Sequence, residues 1–322
     1  AQIQALGGEI RFGNKVDRIE VEGGQVRGLH MADGQQLDCD HVVLAVGHSS
    51  RDTFEMLFNQ GIHVEAKPFS IGVRIEHPQS VIDLARFGKN AGHPLLGAAD
   101  YSLVHHCGNG RSAYSFCMCP GGTVVAAASE PGRVVTNGMS QYSRNERNAN
   151  SALVVGITPA DYPGNALAGI EFQRHWESLA FVAGGSNYCA PAQLVGDFIA
   201  GRASSALGSA LPSYTPGIKL TDLAGCLPEF AVVALREALP AFGKQIRGFD
   251  MNDALLTGVE TRTSSPVRVT RGDDFQSINT RGLYPAGEGA GYAGGIFSAA
   301  IDGIKVAEAL ALDLVKSTGS EH

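Results

Sequence analysis

Residues 282–303 hold seven glycines in 22 positions, and an acidic residue, Glu288, stands between two of them. An apolar, strand-like segment at 283–286 runs into Gly287-Glu288-Gly289, and a helical pattern opens behind Gly294-Gly295 at Ile296. Glycine lets a ligand come up against the backbone, and the amides of a first helical turn attract negative charge. The order of strand, acidic turn, glycines and helix start therefore suits an anionic cofactor. A glycine-rich turn packed in a core has the same pattern, and on the glycines alone the two readings weigh equally. In the helix, Phe297, Ala300, Ile301, Ile304, Ala307, Ala311 and Leu314 share one face by the spacing of three and four, and this face is expected to meet the core.

Four other groups could carry chemistry. The run 40–47 is continuously apolar from Val42 to Val46 and ends in Gly47, which predicts a strand buried on both faces, as in a parallel sheet, with a ligand at its carboxyl end. Gly47-His48-Ser49-Ser50-Arg51 is not a hydrolase nucleophile elbow, because Arg51 occupies the place of the second glycine. His105, His106, Cys107, Cys117, Cys119 and Cys189 could ligate metal or cycle redox state. Zinc sites favour wider spacings than Cys117-Met118-Cys119, so no metal is expected, and the pair stands as a redox candidate beside the plainer reading of small apolar residues. Thr261-Arg262-Thr263-Ser264-Ser265, with Arg74 and Arg268, could hold an anionic substrate or a phosphate, or form a strand-end salt bridge. Gly121-Gly122, Asn137-Gly138 and Asn148-Ala149-Asn150 read as turn formers.

The chain that must position these groups has 322 residues, a net charge of -7 and no basic block, which disfavours nucleic-acid binding. No apolar run reaches membrane-spanning length, and six cysteines are too few for a disulfide framework, so a reducing cytoplasm is expected. A short helix at 1–6 is followed by a strand at 9–12. Strands at 16–21, 25–31 and 36–37 are joined by turns at Gly23-Gly24 and Asp33-Gly34, which predict antiparallel hairpins. A helix spans 51–60. From residue 62 the pattern becomes mixed: strands at 69–76, 112–118, 123–129 and 152–157, with Pro120-Gly121-Gly122 as a turn, and helices at 80–87, 169–183, 193–200, 227–239 and 241–246. Residues 204–217 read as loop, 258–269 returns to strand-like alternation, and a polar tail follows Lys316.

Together the segments 47–54, 67–78, 114–122, 136–140, 148–152, 260–266 and 282–303 resemble the flavin-dependent oxidoreductases of the two-dinucleotide-binding-domain type, and within them the NAD(FAD)-utilising dehydrogenases. The resemblance runs over nearly the whole chain. It implies an α/β fold: an FAD/NAD(P)-binding, Rossmann-like domain, with an inserted α+β substrate domain. The expected boundaries are 1–60 and 266–322 for the FAD-binding domain and 61–265 for the insert. The family's G-x-G-x-x-G turn for the ADP half of FAD is absent, so the domain is expected to be incomplete at its N-terminus, a fragment in which the flavin site is empty or weakly held.

The resemblance implies FAD as cofactor, NAD(P)H as a possible co-substrate, and Val46, Gly47, Arg262, Gly287, Glu288, Gly294, Gly295 and Ile296 as cofactor-binding residues. Glu288 would face the ribityl or pyrophosphate region and the helix start the flavin's pyrimidine edge. The expected reaction is hydride transfer between a small-molecule substrate, or NAD(P)H, and flavin N5, with Cys117 and Cys119 as the candidate catalytic residues. The alternative is a domain that binds no cofactor and serves as a scaffold. A tRNA-modifying flavoprotein shares the architecture, but the acidic balance discriminates against it.

Overall fold

The computed structural model describes residues 1–319, and the last part of the polar tail lies outside the described residues. The chain is mixed α/β with one large mixed sheet, and it divides into two compact units. The first comprises residues 1–67, 164–167 and 264–322; the second comprises 68–163 and 168–263.

In the first unit the hairpin turns act as their sequence dictates. Gly23, Gly24 and Gly34 take positive φ, and strands Val16–Glu22, Gln25–Met31 and Gln36–Asp38 form an antiparallel sheet. Ile19, Val26 and Met31 are its buried apolar side chains. Residues 9–12 form no strand: the segment has no pairing partner among the described residues, and Phe12 is exposed. Strand Val42–Leu44 pairs in parallel with Leu283–Pro285, and Val64–Ala66 pairs antiparallel with Val267–Val269. The parallel pairing agrees with the apolar run, but burial on both faces does not. Only two strands make this sheet, so Val43 and Val46 remain 44% and 37% exposed.

Helix Ile296–Gly319 turns a different side inward from the one its apolar spacing predicts. Phe297, Ala300, Ile301, Ile304, Ala307, Ala311 and Leu314 are all exposed. The packed strip is Asp302, Val306, Leu310 and Asp313, at the same spacing of four or three. Val306 meets Tyr284 and Ala286, and the two aspartates are anchored at their ends of the strip by hydrogen bonds that an apolar pattern does not reveal.

The second unit is built on an eight-stranded sheet. Its order is Ile218–Leu220, Ala190–Leu194, Leu255–Glu260, Phe69–Pro78, Asn148–Ile157, Ser112–Ala126 and Val104–His106, with Thr136–Ser140 also paired to Ser112–Ala126. All pairings are antiparallel except the one between Ala190–Leu194 and Ile218–Leu220. The two central strands are buried almost end to end, and Ile71, Val73, Ile75, Leu153, Val154 and Val155 contribute on the order of 1.5–3 kcal/mol each by leaving water. Gly72 permits their approach: a Cβ there would lie 2.0 Å from the Leu153 carbonyl oxygen.

Several expected breaks are continuous instead. Pro120-Gly121-Gly122 lies inside one strand, Ser112–Ala126, because two register shifts absorb it without ending the pairing. Asn137-Gly138 and Asn148-Ala149-Asn150 are likewise within strands, where buried partners hold Asn148 and Asn150. Helix Glu229–Gln245 passes through Pro240 unbroken. Helix Val195–Ala200 is shorter than the 193–200 pattern, because 190–194 joins the sheet.

His77, at the end of a central strand, shows what this burial costs. Its Nε2–H donates to the Phe249 carbonyl at 2.7 Å, and burial pushes the imidazole down from its ordinary 6.5 to about 4. The unfolded chain therefore binds the proton more readily between those values. The stability from neutral His77 is complete above about pH 6.5 and is lost as pH falls towards 4. Urea unfolding should lose about 2 kcal/mol between pH 7 and pH 5 from this group alone. His77→Gln, which retains a donor but does not titrate, should flatten that limb; an unchanged slope would remove His77 as its source.

Candidate active site: two glycine turns on a parallel strand pair

The carboxyl ends of the two parallel strands, Val42–Leu44 and Leu283–Pro285, lie side by side, and each runs into a glycine turn. Gly47 and Gly287 have φ of +71° and +72°, which other residues adopt only with strain. Gly289 meets the first turn backbone to backbone. A Cβ at Gly289 would fall 2.3 Å from the Gly47 carbonyl oxygen and 2.9 Å from its nitrogen. Ser265 Oγ donates to the Gly289 carbonyl at 3.1 Å from the other side. Across the junction, His48 Nδ1 and Glu288 Oε1 are 3.2 Å apart and both side chains are about one-fifth exposed. Gly47 and His48 thus stand beside Gly289 and Glu288.

The turn is held from beneath by a residue set that glycine patterns do not report. Asp302, from the helix, accepts the Gly287 N–H at 2.7 Å and binds Arg271 at 2.5 Å. Arg271 also donates to the Pro285 carbonyl at 2.6 Å, and its guanidinium lies 3.8 Å from the centre of the Tyr292 ring. The Arg271 charge and the Gly287 N–H hold the Asp302 carboxyl below its ordinary range, against the opposing effect of burial. Tyr284 donates to Asp313 at 2.8 Å further along the helix. Lys67 is a further residue not assigned from sequence. It is half-buried near Arg268 and Glu288, and burial, followed by the repulsion of Arg268, lowers its pKa.

Gly294 and Gly295 lead into the helix. A Cβ built on either meets no atom within 4 Å, so their backbone borders open space. The helical ladder begins with the Ala299 N–H donating to the Gly295 carbonyl, so the amides of Ile296, Phe297 and Ser298 precede the first ladder bond. No acidic residue stands in the first turn to neutralise that positive end. Ile296 itself is exposed.

Arg262 belongs to the second unit and does not supply a phosphate site. Its Nε and Nη2 each donate to Glu177 at 3.1 Å, its Nη1 donates to Ser129 at 2.5 Å, and both charged side chains are buried. This is the salt-bridge alternative, and it commits the guanidinium fork to a carboxylate. Arg74 and Arg268 do not join it: Arg74 pairs with Glu260 at 3.2 Å, and Arg268 lies 3.9 Å from Glu65. Among the cysteines, Cys117 is exposed and Cys119 buried in the second unit, and all six are free thiols. Among the described residues, His105, Cys107 and Glu237 bring three donor atoms within 4.8 Å of one another. Each is already engaged: His105 with Glu237 at 3.1 Å, Glu237 with the Gly108 N–H at 3.0 Å, and Cys107 with the Ala234 carbonyl at 3.5 Å.

Comparison with known proteins bears on this site. Residues 68–263 match the family described as FAD-dependent protein, C-terminal domain-like. The chain belongs to this FAD-dependent family. Residues 1–68 match the family of flavin containing amine oxidoreductases, so both matches are to flavin-dependent proteins. An uncharacterized protein of Clostridium beijerinckii is 54% identical over 309 residues, which cover 95% of this chain and 58% of that relative. The chain thus spans little more than half the length of that relative.

Two substitutions test the packing of these sites. Gly289→Ala should destabilise the protein by about 1–3 kcal/mol in thermal unfolding, because the new methyl group meets backbone that cannot move aside. Gly294→Ala should stay within about 0.5 kcal/mol of the parent. Equal effects at the two positions would refute the turn contact. In the second unit, Arg262→Met should cost about 3–5 kcal/mol by leaving Glu177 buried and unpaired, and adding Glu177→Gln should recover part of it. A single variant as stable as the parent would contradict the buried pair.

Proposed function

We propose that the protein is a flavoprotein oxidoreductase whose first unit, of Rossmann-like FAD-binding type, holds FAD over the paired glycine turns, and whose second unit is the substrate domain. The observation that carries this reading is the meeting of Gly47 and Gly289 at the carboxyl ends of two parallel strands, where α/β sheets bind their ligands. The residues present fit such a group. Gly47, Gly287, Gly294 and Gly295 expose backbone without side chains, Glu288 offers a carboxylate to hydroxyl donors, and the helix start at Ile296 offers amides and a positive dipole end.

When bound, FAD supplies a two-electron acceptor at N5, which takes a hydride from a substrate carbon or from NAD(P)H. The chain's own part is orientation and electrostatics. The 294–298 backbone favours negative charge on the group it faces, which raises the tendency of that group to accept electrons. His48 holds the Glu288 carboxylate in place, and Asp302 with Arg271 fixes the Gly287 peptide. Lys67 adds a cation near Glu288 that deprotonates below its usual pH. No side chain is assigned as acid or base in the hydride step. The net charge of -7 supports a small-molecule substrate over a nucleic acid. No described helix is long and apolar enough to cross a membrane.

Titration of the purified chain with FAD, followed by flavin fluorescence, tests the proposal. Binding should perturb the flavin signal, and Gly294→Asp, which sets a negative charge at the helix start, should weaken affinity about fivefold. Charge reversal at Glu288 should likewise lower flavin retention. A chain that leaves the flavin signal unchanged over the titration would favour the cofactor-free scaffold instead. With flavin bound, bleaching by NADH, NADPH or candidate substrates then identifies the reductant.

A further inference from the structure

The second unit carries a thiol pair that the flavin reading leaves unused. Strand Ser112–Ala126 pairs unevenly with Asn148–Ile157: Asn150 lies opposite Cys119 but Ala152 lies opposite Phe116. Three steps on one strand thus match two on the other, and the extra residue makes a bulge over 116–119. Cys117 sits in this bulge with a φ of +46°, and its side chain is exposed, while Cys119 is buried. In a regular strand, residues two apart are separated by about 6.6 Å, near the upper limit for a disulfide, and a bulge shortens that separation. The Cys119 thiol donates to the Cys117 carbonyl at 3.3 Å.

A buried cation lies under the pair. Arg74 Nη2 donates to the Cys117 carbonyl at 3.2 Å and to Cys119 Sγ at 3.7 Å. Gly138 makes room for the guanidinium: a Cβ there would be 1.9 Å from Nη2. Two more buried donors of the same cluster, Arg74 Nε and Asn150 Nδ2, have no hydrogen-bond partner among the described residues. Glu260 offsets part of the Arg74 charge from the far side, at 3.2 Å. The surroundings of the sulfurs are therefore rich in donors and positive, which favours a thiolate and the oxidised acids derived from it. The contact with Cys117, then burial, pushes the Cys119 thiol upward, so Cys119 keeps its proton and serves as the donor.

We propose that Cys117 and Cys119 form a peroxide-oxidised dithiol couple, with Cys117 as the attacking thiol and Cys119 as the resolving one. In the first step the Cys117 thiolate attacks a hydroperoxide. An S–O bond forms, the O–O bond breaks, and the remaining oxygen takes a proton and leaves as water or alcohol. In the second step the Cys119 sulfur displaces that hydroxyl, an S–S bond forms, and water departs with the Cys119 proton. The two thiols lose two electrons and the peroxide gains them. A small dithiol reductant restores the starting pair.

The test uses the full chain, reduced and then exposed to hydrogen peroxide. Intact mass should fall by about two units, fragmentation should place the cross-link between Cys117 and Cys119, and dithiothreitol should reverse it. Cys119→Ser should stop at the sulfenic acid, which dimedone traps at Cys117, and Cys117→Ser should give neither product. The couple is refuted if Cys117 and Cys119 remain thiols while other cysteines oxidise, or if Cys117 oxidises without linking to Cys119. The parent protein carries both readouts, so the result does not depend on any variant folding, and neither readout requires flavin.

Discussion

The first unit depends on a contact between two backbones. Gly289 lies so close to Gly47 that no side chain fits between them, and this is possible only because strands Val42–Leu44 and Leu283–Pro285 run parallel and end together. The pairing carries each chain into its turn at the same level, and the positive φ of Gly47 and Gly287 turns both away from the strand ends. What results is a surface of peptide groups with few side chains, which can be approached closely. Its rigidity is supplied from below by the Asp302–Arg271 pair, in which one carboxylate serves both the Gly287 amide and a buried guanidinium. The helix is thereby tied to the turn that precedes it, so its amino end is held at a fixed place relative to the glycines.

Much of this was legible in the sequence, and for identifiable reasons. Hairpins follow from Gly23-Gly24 and Asp33-Gly34, because two-residue glycine turns have few alternatives. The apolar run ending at Gly47 indicated a parallel strand, and the glycines of 282–303 indicated a turn with open backbone, which Gly294 and Gly295 supply. What was not legible concerns partners distant in sequence. Asp302 and Asp313 occupy the inward strip of the last helix, so a search for an apolar face selects the exposed side. Arg262 reads as an anion binder until Glu177, eighty-five residues away, is seen against it. The Pro120-Gly121-Gly122 turn dissolves into a strand because register shifts, which leave no trace in composition, accommodate it.

The two units manage buried polarity differently. In the first, charged groups secure a turn near the surface. In the second, they are buried in or against the eight-stranded sheet, where each needs a partner. Arg74 meets Glu260, Arg262 meets Glu177, and Glu76 accepts from Asn148 and Ser213. Burial raises the Glu76 pKa in spite of those donors. Such pairs contribute little net stability compared with apolar packing, but breaking one is costly, so a pair between two strands fixes their register. Arg74 and Glu260 come from adjacent strands, Phe69–Pro78 and Leu255–Glu260, and a slip of one residue would turn either side chain to the opposite face.

The same requirement explains why the bulge at Cys117 lies where it does. Asn150 must reach the Arg74 guanidinium from the neighbouring strand, and Gly138 must leave space for it. With both in place, the guanidinium occupies the level at which residues 117–119 cross the sheet. A regular strand would set its peptide groups against the Asn148–Ile157 ladder throughout this stretch. The extra residue instead directs the Cys117 carbonyl to Nη2 and leaves the Cys117 side chain in solvent. A buried cation that must be satisfied by main-chain oxygen thus imposes an irregular strand, and the irregular strand gives one cysteine access to solvent while its neighbour stays buried beside the charge.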